Sequence, residues 1–134
     1  MERSFDRDFG ALEEIFEFTA RFMADRQINE RLSYSINLIV EELFTNMVKH
    51  NTGGGHPIRI RMDVRDGHLR INFVDEDVDP WDPAQAPDVR VDQLIEERKP
   101  GGLGLILVRS MADEIEYDYT DRRMSVTVTK KLEP

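Results

Sequence analysis

Hydrophobic and polar residues follow two different periods along this chain, and the periods predict which stretches are helices and which are strands. Apolar residues recur three and four positions apart from about Ala11 to Asp25 and from Glu30 to about His50, which predicts two amphipathic helices. The period falls to two from Ile58 to Val64 and from Leu69 to Phe73, which predicts strands. The Asp-Gly pair at 66–67 between these strands is a strong hairpin signal.

The remaining patterns complete a layered arrangement. Phe5 among polar neighbours indicates an edge strand near the start, and residues 100–105 open a third helix. Alternating runs from Glu114 to Tyr119 and from Met124 to Thr129 predict a second hairpin. Strands grouped in hairpins, with the helices segregated from them, predict an α+β fold. We expect a two-layer sandwich whose mixed, mostly antiparallel sheet is covered on one face by three helices.

The chain length and one irregular stretch suggest the domain organisation. At 134 residues the chain is expected to form a single domain, 1–134, with a real hydrophobic core. Residues 83–100 lie between the first hairpin and the third helix and carry no sustained period. Loops of that length in compact domains are usually functional or disordered, so we predict a lid there.

The composition excludes several classes of protein. The net charge of −9 argues against binding to nucleic acid or to anionic membranes, because both need a basic surface. The absence of cysteine excludes disulfides and thiolate metal sites. The sequence has no apolar run of about 18 residues and no signal-peptide pattern, so we expect a cytoplasmic protein.

Two polar residues on the second helix are the first candidates for chemistry. Glu42 and Asn46 stand four positions apart, so they lie one above the other beside the apolar stripe. An acid and an amide are costly there unless they are paired or put to use. One interpretation is a solvated helix flank with a Glu–Asn hydrogen bond, and the other is a functional pair.

Three further stretches could bind a ligand, and each also has a plain structural explanation. Glycines at a helix N-terminus, here within 101–104, expose N–H groups to an anion, although many such starts are only turns. Lys49 and His50 suit the C-terminus of any helix, where the dipole favours cations. The acidic run 75–79 could be a solvated turn.

The order of these stretches resembles the nucleotide-binding domain of the GHKL superfamily, the Bergerat fold of gyrase, heat-shock chaperones, histidine kinases and MutL. Within it, the sequence is most similar to bacterial anti-sigma factors that are serine protein kinases. The resemblance covers nearly the whole chain. Three stretches carry it: Glu41-Glu-Leu-Phe-Thr-Asn-Met-Val-Lys-His50, Asp79-Pro-Trp-Asp-Pro83 and Gly101-Gly-Leu-Gly-Leu-Ile-Leu-Val-Arg-Ser110.

The resemblance implies a role for each matching residue. Asn46 would hold the Mg²⁺ ion that bridges the phosphates of ATP, and Glu42 would act as general base. Lys49 matches a Lys-His pair that is common in these kinases. The start of the third helix would border the phosphates through Gly102, Leu103, Gly104 and Leu105.

The adenine end departs from the family's pattern. An Asp-x-Gly turn usually holds the adenine amino group. Counting back from Pro80 puts the aspartate position on Glu76 and the glycine position on Val78. Asp77 or Asp75 could substitute if the register shifts by one. Valine disfavours positive φ, so a second interpretation stays open: the same fold with a damaged adenine site, regulating a partner by contact alone.

The resemblance also implies partners. An anti-sigma factor kinase binds a sigma factor and phosphorylates a serine on a small anti-anti-sigma protein of the STAS type, which switches the partner that it holds. Family members often form homodimers. A third interpretation, the catalytic domain of a histidine kinase, is disfavoured because the sequence lacks a phospho-acceptor helix pair.

Overall fold

A computed structural model describes residues 1–51, 54–80 and 102–132 of the protein. The predicted lid at 83–100 lies outside these residues. The described strands and α-helices are β1 Glu2–Phe5, α1 Leu12–Asp25, α2 Ser33–His50, β2 Ile58–Arg65, β3 His68–Asp75, α3 Gly102–Met111, β4 Glu114–Thr120 and β5 Arg123–Lys131. No helix within the described ranges is long and apolar enough to span a membrane.

A capped 3₁₀ turn precedes α2. The side-chain oxygen of Asn29 accepts a hydrogen bond from the amide of Arg31 at 3.0 Å. The turn that it begins, Glu30–Leu32, is a 3₁₀ helix. The α-helix therefore begins at Ser33, three residues after the predicted start, because the capped turn is wound more tightly than an α-helix.

The five described strands form one sheet in the order β1-β2-β3-β5-β4, and each of its pairings is antiparallel. Both predicted hairpins are present, as β2–β3 and β4–β5. Their turns contain Asp66 and Gly67 at φ 52° and 75°, and Asp121 and Arg122 at φ 52° and 62°. Paired positive φ angles match the right-handed twist of the flanking strands, which is why such turns close short hairpins.

The hydrophobic core lies between the helices and one face of the sheet. Strands β2, β3 and β5 present fully buried side chains on that face: Ile60, Met62, Ile71, Phe73, Val126 and Val128. Helix α2 provides the facing layer, with Ile36, Ile39, Val40, Leu43, Phe44 and Met47 fully buried. It contacts both α1 and α3, so it is the central helix of its layer. The predicted α+β sandwich is confirmed.

The opposite face of the sheet is polar, and we call it the open face. The strand register aligns Arg61, Asn72, Thr127 and Glu116 across β2, β3, β5 and β4. Asn72 donates hydrogen bonds to the hydroxyl oxygens of Ser125 and Thr127 at 3.0 and 2.9 Å. Side chains on the open face are separated from α2 by the sheet itself.

Candidate active site

Helix α2 places Asn46 against the core. Asn46 is only 3% exposed, so a solvated helix flank is the wrong interpretation of this position. Asn46 Nδ2 donates to the backbone carbonyl oxygen of Glu42 at 2.6 Å, one helical turn earlier. Because this contact engages the amide nitrogen, Oδ1 is the atom of Asn46 that can serve as a ligand.

Glu42 is half-buried one turn before Asn46. Burial raises the pKa of its carboxyl group, the neighbouring Glu41 raises it further, and Lys49 opposes both effects. A carboxylate with a raised pKa binds a proton more readily, which suits a general base that works near neutral pH. Lys49 lies two helical turns after Glu42, so its charge lowers the pKa of the carboxyl group without lying next to it.

Lys49 and His50 end α2 on its exposed side. Burial, followed by the charge of Lys49, lowers the pKa of His50. Both cations stand in the last turn of the helix, where the negative end of the dipole favours them. Their position agrees with the structural explanation, and Lys49 in addition lowers the pKa of Glu42.

A buried ion pair that the sequence did not predict lies beside the end of α2. Arg7 and Asp75 have side chains that are 7% and 0% exposed, and Arg7 Nη2 donates to Asp75 Oδ1. Arg7 Nη1 donates to the carbonyl oxygens of Met47 and Asn51, at 3.1 Å each. The guanidinium therefore connects the last turn of α2 to the end of β3.

Asp75 carries a hydrogen-bonding atom that its neighbours do not satisfy. Its Oδ2 is buried and has no hydrogen-bond partner among the described residues, and the same holds for Nε of Arg7. Burial raises the pKa of Asp75, while the charge of Arg7 and its hydrogen bond act in the opposite direction. An unpaired buried acceptor is costly, and such atoms often mark the place of a ligand.

The acidic turn after β3 is held in a defined conformation. Asp77 adopts a positive φ of 53°, and the side chain of Val78 packs into the core at 1% exposure. Both backbone polar groups of Val78 are engaged. The amide donates to the carbonyl oxygen of Arg122 at 2.9 Å, and the carbonyl oxygen accepts from Tyr119 Oη at 2.7 Å. The left-handed position of the turn is therefore Asp77 and not Val78.

Asn51, which no sequence pattern indicated, connects this turn to α2. Its Oδ1 accepts from the amide of Asp79 at 2.9 Å, and its Nδ2 donates to the carbonyl oxygen of Asp79 at 3.3 Å. From the other side, Arg122 forms exposed ion pairs with Asp77 at 2.8 Å and with Asp79 at 3.1 Å. The turn is thus held between the helix and the β4–β5 hairpin.

The three predicted adenine-end residues do not lie together in one site. Glu76 pairs with Arg123 at 3.1 Å and lines an open cavity of about 660 Å³ on the open face, together with Arg61 and Asn72. Asp77 points toward Arg122, and Val78 fills the core. The acid that the strand turns toward the helices is Asp75, because side chains alternate between the two faces of a strand.

Comparison with known proteins shows the family of this chain. The chain matches the histidine kinase-like ATPase domain over residues 5–130. It belongs to that family. The predicted superfamily is therefore confirmed. Serine/threonine-protein kinase BtrW of Bordetella bronchiseptica is 27% identical over 105 residues, which are 78% of this chain and 74% of BtrW.

Two solved structures share the histidine kinase-like ATPase fold with this chain. A chain of the SiaB–SiaC complex of Pseudomonas aeruginosa matches with a TM-score of 0.65 and 17% identity, over 96% of this chain and 88% of that chain. Histidine kinase AdeS of Acinetobacter baumannii matches with a TM-score of 0.50 and 17% identity, over 100% of this chain and 68% of that chain. At these identities the likeness supports the fold.

The third helix of this ATPase domain begins where the glycine motif predicts. Helix α3 starts at Gly102 and packs against α2. The predicted phosphate contacts at Gly102, Leu103, Gly104 and Leu105 fall on its first turn, where free backbone N–H groups favour an anion. Gly101 and the predicted lid at 83–100 lie outside the described part of the chain.

Proposed function

We propose that this protein is an ATP-dependent serine/threonine protein kinase that acts as an anti-sigma regulatory factor. The observation that carries the proposal is the buried Asn46, oriented by the backbone of Glu42, at the position where the family resemblance expects a magnesium ligand. Membership of the histidine kinase-like ATPase family implies nucleotide binding. The similarity to BtrW, which is named as a serine/threonine-protein kinase, supports a protein substrate.

The residues present fit a magnesium nucleotide. Asn46 Oδ1 is an uncharged oxygen ligand of the kind that Mg²⁺ accepts alongside phosphate oxygens and water. The unpartnered Oδ2 of Asp75 can accept a hydrogen bond from the amino group of adenine. Asp75 fits this role better than Glu76, which lies on the open face. The amides at the start of α3 would face the phosphates.

The chain supplies a base and an oriented site. MgATP, when bound, would supply the phosphoryl group that is transferred. Glu42 would accept the proton of the serine or threonine hydroxyl of the partner, and its raised pKa keeps its proton affinity high enough for that step. Lys49 would favour the ionised form of Glu42, which is the form that can accept the proton.

The proposal includes two protein partners. By family resemblance these are a sigma factor and a STAS-type anti-anti-sigma protein, the latter being the phosphorylated partner. The likeness to a chain of the SiaB–SiaC complex supports a function that involves binding another protein. Because sigma factors work with RNA polymerase in the cytoplasm, the proposal places this protein there as well.

Nucleotide binding is the first test. We expect calorimetric titration with MgATP to show binding to the wild-type chain, and the Asn46→Ala variant to lose the contribution of magnesium to that affinity. Asn37→Ala is the matched control, since it removes the same side chain from α2 at a half-buried position outside the site. Absence of binding at millimolar MgATP would refute the kinase proposal and favour regulation by contact alone.

Phosphoryl transfer is the second test. The substrate is the STAS-domain protein encoded nearest to this gene, incubated with radiolabelled ATP. We expect Glu42→Gln to bind MgATP with unchanged affinity and to transfer phosphate roughly 10² to 10⁴ times more slowly, which is the usual contribution of a general base. Transfer at the wild-type rate would show that Glu42 is not the base.

A further inference from the structure

The guanidinium of Arg7 joins the end of α2 to the end of β3 at one point. Nη1 reaches two carbonyl oxygens at the end of α2, and Nη2 reaches the carboxylate of Asp75 at the end of β3. A planar fork can bind carbonyl oxygens on one side and a carboxylate on the other, whereas the ammonium group of lysine is a single point charge. The arrangement therefore requires arginine.

Gly54 leaves room for this guanidinium. A Cβ atom at position 54 would lie 2.6 Å from Nε and 2.7 Å from Cζ of Arg7. These distances are shorter than any van der Waals contact, so a larger residue there would displace the arginine. The observed position of Arg7 therefore depends on the close approach of its side chain to the backbone of Gly54.

The protonation state of Asp75 decides what its free oxygen can recognise. An ionised carboxylate only accepts hydrogen bonds, whereas a protonated one can also donate. Burial raises the pKa of Asp75 and so favours the protonated form. Arg7 opposes this most strongly, Glu76 raises the pKa further, and His56 lowers it.

We propose that Arg7 sets the base preference of the nucleotide pocket. Arg7 binds Oδ1 of Asp75 and keeps the carboxylate ionised, so that it only accepts hydrogen bonds. Oδ2 is then free to accept a hydrogen bond from the 6-amino group of adenine. A 6-oxopurine would place an oxygen against Oδ2, and two acceptors repel each other. The inference rests on the proposed function, and it makes Arg7 a positioning residue that acts through Asp75.

The preference is measured by calorimetric titration of the full chain with MgATP and with the magnesium complex of inosine triphosphate, a 6-oxopurine nucleotide. From about pH 6 to about pH 9 we expect the wild type to prefer ATP on the order of tenfold or more, the size of one hydrogen bond to a charged group. Arg7→Met should weaken the preference, and most strongly at the acid end, because Asp75 without Arg7 beside it binds a proton more readily. Arg3→Met is the control, because it breaks an exposed ion pair with Glu14 in the same part of the chain.

A purely structural role for Arg7 predicts a different result. The Arg7→Met variant would then bind both nucleotides more weakly by the same factor at every pH, and this outcome overturns the proposal. The double variant Arg7→Met with Asp75→Asn removes both charges, so it tests the idea without leaving a buried charge unpaired. We expect it to bind both nucleotides about equally at all pH values, since an amide can present either its oxygen or its nitrogen.

Two outcomes separate this proposal from the broader one. A wild-type chain that binds neither nucleotide contradicts the proposed function. A wild-type chain that prefers ATP, together with an Arg7→Met variant that keeps the same preference at every pH, contradicts only the role given to Arg7.

Discussion

Replacing Asn51 by alanine removes the two hydrogen bonds that hold the acidic turn against α2. At 2.9 and 3.3 Å they are one good and one long hydrogen bond to the backbone of Asp79. A net value of about 1 kcal/mol for each gives a loss of roughly 2 kcal/mol in the free energy of unfolding. With an unfolding entropy of about 2.1 cal/mol/K per residue over 134 residues, the melting temperature should fall by about 7 °C.

Urea unfolding followed by circular dichroism measures the global effect of this change, and hydrogen exchange measures the local one. In Asn51→Ala we expect the amide of Asp79 to exchange faster than in the wild type, because Asn51 Oδ1 is its acceptor. The amide of Val78 should keep its protection, since its acceptor is the carbonyl oxygen of Arg122. Asn37→Ala, on the same helix, is the control for the loss of an asparagine side chain.

Two results would refute this reasoning. One is a stability of Asn51→Ala that lies within about 0.5 kcal/mol of the Asn37→Ala control, which is the range of ordinary surface substitutions. The other is an unchanged exchange rate at Asp79, which would show that the side chain of Asn51 does not hold the turn.

Two further predictions follow from burial and charge. The rate of phosphoryl transfer should fall as the pH drops through the raised pKa of Glu42, because a base works only when it is unprotonated. Lys49→Met removes a charge that lowers the pKa of Glu42, so the acid limb of the pH–rate profile should move to higher pH. The control Lys131→Met, at an exposed position, should leave the acid limb where it is. An acid limb that does not move in Lys49→Met would contradict the assignment of Glu42 as the base. Val78→Ala should destabilise the fold by about 2 kcal/mol in urea unfolding, since it removes two methyl groups from a core position that is 1% exposed. A loss below about 0.5 kcal/mol would contradict that packing.

The fold was predictable because its signals are local. The 3.6-residue period of α2 is present in its own sequence, and the Asp-Gly pair at 66–67 meets the demand of its turn for two positive φ angles. The exact start of α2 was missed by three residues, since periodicity does not distinguish the capped 3₁₀ turn Glu30–Leu32 from the helix that follows it.

The site was predictable only in part. The spacing of Glu42 and Asn46 placed both on one side of α2. The burial of Asn46 agrees with a polar residue that has a function other than contact with solvent. Asp75 has a local signal of its own, because the alternation of Leu69, Ile71 and Phe73 continues to it. Period two therefore puts that acid on the buried face.

Arg7 and Asn51 had no comparable signal. The partner of Arg7 lies 68 positions away in the sequence, and the partner of Asn51 lies 28 positions away. No period or motif links such pairs, because the chain brings them together only when β3 is added to the sheet and the end of α2 packs beside it.

The sequence by itself determined the elements, the α+β architecture, the family and the pair of residues on α2, since each depends on spacing along one helix, strand or motif. Tertiary structure decided the register of the acidic turn: it placed Glu76 on the open face, Val78 in the core, the positive φ at Asp77 and the buried carboxylate at Asp75. The physical reason is that a carboxyl group's role depends on which side of the sheet it faces and on which cation lies beside it. For Asp75 that cation is Arg7, contributed by the connection between β1 and α1.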